Sequence, residues 1–188
     1  MTMSRLTHHI SHQFDKELED IRSKVLAMGG LVEEHIHKVL ECFAKGDFDE
    51  AEYVAVNDFK VNALEVEIDD DCTEILLRRQ PAATDLRLVL SVSKTITDLE
   101  RIGDEAEKIA RLVLNLRGSG GISSYYMGML SMGHHVRRMV RAALDAFARM
   151  DSESAFRIAQ EDREIDAETD AIMRYLITYM KEDPRSIS

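Results

Sequence analysis

Apolar side chains recur near the start of the chain at Ile10, Phe14, Leu18, Ile21, Val25, Met28, Val32, Ile36, Val39 and Phe43. Their spacing averages about 3.7 residues, the period of one helix face, and predicts a helix with a single buried stripe from about Thr7 to Lys45. Gly29-Gly30 lies inside it at a cost of ~1 kcal/mol each relative to alanine, which predicts either a bend or a close helix contact. A second stripe, Ala51, Val54, Val61, Leu64, Ile68, Cys72 and Ile75, predicts one helix that starts near Asp47 or Asp49 and stops before Pro81. Either aspartate can cap it, because its carboxylate accepts from the unpaired N–H groups of a first turn. A third helix, from Thr84 or Asp85 to Leu116, turns Leu86, Val89, Ser93, Ile96, Leu99, Gly103, Ala106, Ala110 and Val113 inward. Three such helices joined by short turns predict an antiparallel bundle.

The stretch from Arg117 to Ser124 is rich in Gly and Ser and reads as a linker over 118–124. A new helical pattern follows at Met129, Met132, Val136, Met139, Val140, Ala143 and Phe147. From there the chain repeats itself. Asp47, Asp58, Val61 and Ile68 reappear 104 residues later as Asp151, Asp162, Ile165 and Ile172. Two tandem antiparallel three-helix bundles are expected: a complete one over 1–117, and a second over 125–188 that stops short of its third helix.

Composition agrees with an all-α chain. It has two Pro, no Trp and nine Gly in 188 residues, too few breakers for a β-sandwich, which needs a turn every eight to twelve positions. Lys and Arg number 24 against 35 Asp and Glu, a net charge of -11 that offers nucleic acid no general attraction. No run approaches the ~18 apolar residues of a membrane span, and the first residues lack the apolar core of a secretion signal, so a cytoplasmic setting is expected. Cys42 and Cys72 stand alone in helical patterns and read as reduced, buried thiols.

The repeat also filters the polar positions. Asp58, Asn62, Glu65 and Asp69 form a stripe beside the apolar seam, and their counterparts are Asp162, Asp166, Thr169 and Met173. Only the 58/62 pair keeps its chemical type, two oxygen-bearing side chains one helical turn apart. The third helix carries Glu100 and Asp104 at the same spacing. If the hairpin turns near residue 81 or 82, Glu100 and Asp104 lie level with Asn62 and Asp58. Gathered carboxylates need a cation: all-oxygen ligation suits Mg²⁺, Mn²⁺ or Ca²⁺, and iron where several carboxylates meet. The competing reading is a solvated acidic face with surface pairs to Arg101, Lys108 and Lys60 worth ~0–1 kcal/mol each. Glu34-His35-Ile36-His37 holds a single E-x-x-H, where a di-iron bundle needs two. His134 and His135 are adjacent and diverge on a helix. No nucleophile elbow, phosphate loop or catalytic constellation is found, so no enzymatic activity is expected.

The segments Arg79-Gln80-Pro81-Ala82-Ala83-Thr84-Asp85-Leu86-Arg87 and Leu99-Glu100-Arg101-Ile102-Gly103-Asp104 resemble the PhoU family of bacterial phosphate-signalling accessory proteins. His9 to Phe14, Met28-Gly29-Gly30 and Leu144 to Asp151 resemble its proteobacterial form. The resemblance implies two three-helix bundles, a cytoplasmic location and a homodimer. It implies metal sites at E(D)-x-x-x-D motifs, which fall here on Asp58 with Asn62, Glu100 with Asp104, and Asp162 with Asp166. Asn62 departs from that pattern and removes one charge. The implied cofactor is a divalent or ferric ion: Mg, Mn, Fe or Zn. The implied role is negative regulation of phosphate uptake and of the phosphate-starvation response. The implied partners are the phosphate ABC transporter ATPase subunit and the sensor histidine kinase. The alternative is a purely structural helical adaptor whose acidic face never holds metal.

Overall fold

The computed structural model describes residues 2–81, 83–116 and 127–182, with side chains from residue 12 onward. It is all-α: α1 spans Thr2–Lys45, α2 Phe48–Asn57, α3 Phe59–Arg79, α4 Ala83–Asn115, α5 Met127–Arg149 and α6 Ser152–Glu182. No strand occurs among the described residues. The Gly/Ser linker over 118–124 lies outside them.

The long helices are built on steps of three and four. In α1 the buried positions are Leu18, Ile21, Val25, Met28, Val32, His35, Val39 and Cys42; in α4 they are Val89, Val92, Ile96, Leu99, Gly103, Ala106, Ala110 and Val113. This is the seam of knobs-into-holes packing, in which helices cross at a shallow angle. The regular alternation brings His35 and Cys42 inside, where apolarity alone favours Ile36 and Phe43, and those two are only half-buried. It also puts Val92 in the core in place of Ser93, and leaves Leu86, in the first turn of α4, 36% exposed. Gly29 is buried, and α1 continues through the glycine pair without a break.

The single second helix expected from the pattern is interrupted at Asp58. There the backbone stays right-handed, but the Asp58 carbonyl accepts from both Val61 N–H at 2.8 Å and Asn62 N–H at 3.3 Å. This is a tightened turn of 3₁₀ character between α2 and α3.

The chain forms two compact units. The first comprises Met1–His35 and Ala55–Lys108, the second Ile36–Val54 and Ile109–Ser188. In the first, α3 buries Val61, Ile68, Cys72 and Ile75, and ion pairs tie it to α1. Lys24 Nζ lies 2.6 Å from both Glu67 Oε1 and Asp71 Oδ2, and the Arg79 guanidinium clasps Glu17 with bonds of 2.9 and 2.5 Å. Arg79 holds the Glu17 carboxyl below its usual range, so this contribution is present at neutral pH and fades as pH falls through that lowered value.

In the second unit, α5 packs on α6. Gly133 admits the Leu40 side chain, whose Cδ2 would stand 2.3 Å from a Cβ there. The two repeat copies end and start their helices alike. Gly46 closes α1 with φ +72 and donates to the Cys42 carbonyl at 2.7 Å. Its counterpart Met150 closes α5 at φ 54 in a Schellman turn, with Met150 N–H to Phe147 O at 3.1 Å and Asp151 N–H to Ala146 O at 2.9 Å. Asp47 then accepts from Asp49 N–H to start α2, and Asp151 accepts from Ser154 N–H at 3.0 Å to start α6. A methionine in the left-handed region costs about 1–2 kcal/mol that glycine avoids. Met150 is 59% exposed, so little packing is lost on replacement. Met150→Gly is therefore expected to stabilise the chain by about 1 kcal/mol in urea unfolding.

Candidate metal centre

The tightened turn between α2 and α3 buries the Asp58 side chain to 4% exposure. It faces α4 at Gly103, where a Cβ would lie 3.2 Å from Asp58 Oδ1 and 3.2 Å from Val61 Cγ1. A side chain at 103 would press on these neighbours and push one of them back by a few tenths of an ångström. The close approach at Gly103 carries Asp58 to the carboxylates of α4. Oxygens of Asp58, Asp104 and Glu107 all lie within 4.8 Å of one another.

A further acid, Glu100, lies beside this trio. Glu100 is half-buried, and its carboxyl is pushed above the usual range, first by burial, then by the charges of Asp104, Glu65 and Asp58; Lys108 works weakly against them. Lys108 itself bonds Glu105 at 2.8 Å, and its ammonium is held protonated by Glu105, Asp104 and Glu100. Ionised Glu100 therefore opposes folding. Its raised pKa makes stability rise as pH falls through the folded value toward the unfolded one near 4.5. Glu100→Gln removes that dependence, and is expected to raise the melting temperature of metal-free protein at pH 7.

The donor set fits a hard cation. Two oxygens on one ion stand at most twice the metal–oxygen distance apart, about 4.2 Å for Mg²⁺ and about 5 Å for Ca²⁺. A trio within 4.8 Å suits the larger ion directly and the smaller after a slight contraction. Asp58, Asp104 and Glu107 would hold the ion, with Glu100 beside them.

The expected residues divide. Asp58, Glu100 and Asp104 come together, whereas Asn62 is exposed. Asp162 and Asp166 are exposed on α6, and no trio of ligating side chains forms around them among the described residues. Glu107 is the addition, and its spacing signalled it: three residues after Asp104 and seven after Glu100 lies one helix face. Two histidines pair with charged side chains. His135 Nδ1 lies 3.0 Å from Glu168, and His37 Nδ1 accepts from Arg137 at 3.2 Å. A cleft of about 390 Å³ between α1 and α3 includes Glu17, Lys24, Asp71, Glu74 and Arg78, which the ion pairs of that face already engage.

The repeated all-α architecture places the chain among the helical-bundle proteins. The family model described as the PhoU domain matches residues 25–113 and 129–188. The chain belongs to the PhoU family. It is 51% identical over 183 residues to a Pseudomonas putida protein named "phosphate-specific transport system accessory protein PhoU homolog", covering 97% of this chain and 72% of the relative. It is 46% identical over 187 residues to the Escherichia coli "phosphate-specific transport system accessory protein PhoU", covering 100% of this chain and 77% of that one. Among solved structures, PhoU from Pseudomonas aeruginosa superposes with a TM-score of 0.89 at 47% identity, covering 93% of this chain and 83% of that one. The "phosphate transport system regulatory protein PhoU" from Streptococcus pneumoniae gives 0.82 at 32% identity, covering 90% and 80%.

Proposed function

We propose that this chain is an accessory regulator of phosphate transport, a negative regulator of phosphate uptake and of the phosphate-starvation response. It acts in the cytoplasm as a homodimeric adaptor between the transporter's ATPase subunit and the sensor histidine kinase. The observation that carries the reading is its 46–51% identity, over nearly its whole length, to accessory proteins of phosphate-specific transport. No helix among the described residues is long and apolar enough to cross a membrane, which agrees with a protein that docks on membrane complexes from outside the bilayer. Long helices with outward side chains suit docking against partner surfaces. The two-bundle organisation over 1–117 and 125–188 is part of the same reading.

Within it, the acidic centre has a structural role. A bound cation supplies positive charge that offsets the mutual repulsion of the carboxylates. Asp58 on one side and Asp104 and Glu107 on the other then tie α3 to α4 and keep the outer faces in register. The test is a reporter of the starvation response in a strain lacking its own relative. Expression of this chain should restore repression at high phosphate, and a Glu100→Ala/Asp104→Ala variant should not. Unrestored repression by the parent chain would overturn the adaptor reading. Full repression by the variant, with no metal bound to the parent, would remove the metal from it and leave a purely structural adaptor.

A further inference from the structure

One corner of the repeat is filled in the first copy and open in the second. In the first, Lys38 of α1 lies 2.5 Å from the Glu50 carboxylate of α2 and 4.5 Å from the centre of the Tyr53 ring, and Lys45 pairs with Glu41 nearby. At the offset of 104, Lys38, Glu50 and Tyr53 become Ala142, Ser154 and Arg157, while Glu41 and Lys45 become Asp145 and Arg149. The lysine that fills the corner and the carboxylate that neutralises it are both gone. A cleft of about 240 Å³ stands in their place between α5 and α6, with Asp145, Arg149, Ser154, Arg157 and Glu161 as its polar lining.

The two cations of this cleft form no ion pair among the described residues, although Asp145 and Glu161 each lie one helical turn from one of them. Asp145 is one methylene shorter than the Glu41 that pairs in the first copy. The Arg157 guanidinium donates instead to Ser154 Oγ at 2.9 Å, and that hydroxyl donates to Asp151 Oδ2 at 2.6 Å. Asp151 is held below its usual range first by its bonds from Ser154 and then by the charges of Arg149 and Arg157, so both arginines reach the start of α6. The lining is formally neutral, two arginines against Asp145 and Glu161, with Asp151 behind Ser154. This mixture is selective. Guanidiniums grip anionic oxygens in pairs, whereas ionised carboxylates only accept hydrogen bonds. An occupant must therefore offer charged oxygens to the arginines and a proton to a carboxylate. At neutral pH inorganic phosphate still carries protons and meets both demands. Sulfate carries none, and the carboxylates repel it. With ~30 Å³ per water, the cleft admits a phosphate and a few waters.

We infer that the second copy binds inorganic phosphate between Arg149 and Arg157, in the place that the first copy gives to its own Glu50 carboxylate. The anionic oxygens accept from the two guanidiniums, and a P–OH group donates to Asp145 or Glu161. The first copy, filled by Lys38 and Glu50, has no such site.

Isothermal titration calorimetry with inorganic phosphate tests this on the purified chain at pH 7 and low ionic strength. A chelator is present throughout, so that no cation at the acidic centre contributes. The parent should bind phosphate saturably and sulfate at least tenfold more weakly. Arg157→Tyr, which installs the residue of the first copy, should weaken phosphate binding at least tenfold. Ala142→Lys/Ser154→Glu, which rebuilds the internal pair of the first copy, should abolish it. None of the three positions is buried, so unchanged circular dichroism is expected of both variants. A parent that gives no saturable heat overturns the phosphate site, and so does one that binds sulfate equally well. Binding that both variants leave unmoved overturns it too. Each of these three results leaves the adaptor reading standing.

Discussion

Gly103→Val is expected to cost the first unit about 1–3 kcal/mol, the range for forcing atoms into a filled contact, and to abolish cation-dependent stabilisation at the same time. A Cβ at 103 already stands 3.2 Å from Asp58 Oδ1 and Val61 Cγ1, and valine adds two methyl groups to it. Neither neighbour retreats easily. Val61 is fully buried, and Asp58 is fixed by the tightened turn that leaves it 4% exposed. Relief must come from separating α3 and α4, which moves Asp58 away from Asp104 and Glu107. Replacing a helix-interior glycine would otherwise gain up to ~1 kcal/mol in propensity, so a net loss is diagnostic of the contact. Thermal melts with and without Mn²⁺ measure both effects: the parent should melt higher with the ion, and the variant should melt lower and ignore it. A variant as stable as the parent would show that the helices close without needing the glycine.

Ile68→Ala and Ile172→Ala change the same repeat position and are expected to differ several-fold. Ile68 is fully buried between α3 and its neighbours, and its loss should cost about 2–5 kcal/mol, combining transfer and cavity terms. Ile172 is only half-covered, by α5, where it reaches to 3.4 Å of the Cβ position at Gly128. With less surface to lose and solvent able to fill the gap, its truncation should cost about 1 kcal/mol. Urea unfolding of the two variants reads the difference. Equal losses would mean that the seam of α6 is buried as deeply as that of α3.

The seam of α2 and α3 was legible as a periodic stripe, since Ala51 and Val54 in α2 and Val61, Ile68, Cys72 and Ile75 in α3 are all buried, and Leu64 is half-buried. Apolarity located the helices but not their rotation. The alternating three-four step chose His35 and Cys42 over Ile36 and Phe43, and Val92 over Ser93, and such a choice depends on the helices packed alongside. The break at Asp58 carries no glycine or proline, and Asp58 itself keeps right-handed angles, so apolar spacing alone ran through it. The acidic site was half readable. Glu100 and Asp104 lie on one unbroken helix, where spacing predicts a common face. Asn62 lies one turn after Asp58 and is exposed. Glu107 obeyed the periodic rule, but its meaning depended on a partner from α3 arriving beside it.

Each compact unit encloses one thiol of its own, Cys72 in the first and Cys42 in the second. Burial raises both, and Cys72 to about 11, so at neutral pH only about one thiol in ten thousand is ionised there. A closed unit is then close to inert toward alkylating reagents, and reaction proceeds through its opening. Alkylation followed separately on the two cysteine peptides becomes a pair of clocks inside one unmodified chain. One records how often the unit holding the acidic centre opens, and the other how often the second unit does, under identical conditions and in the same tube.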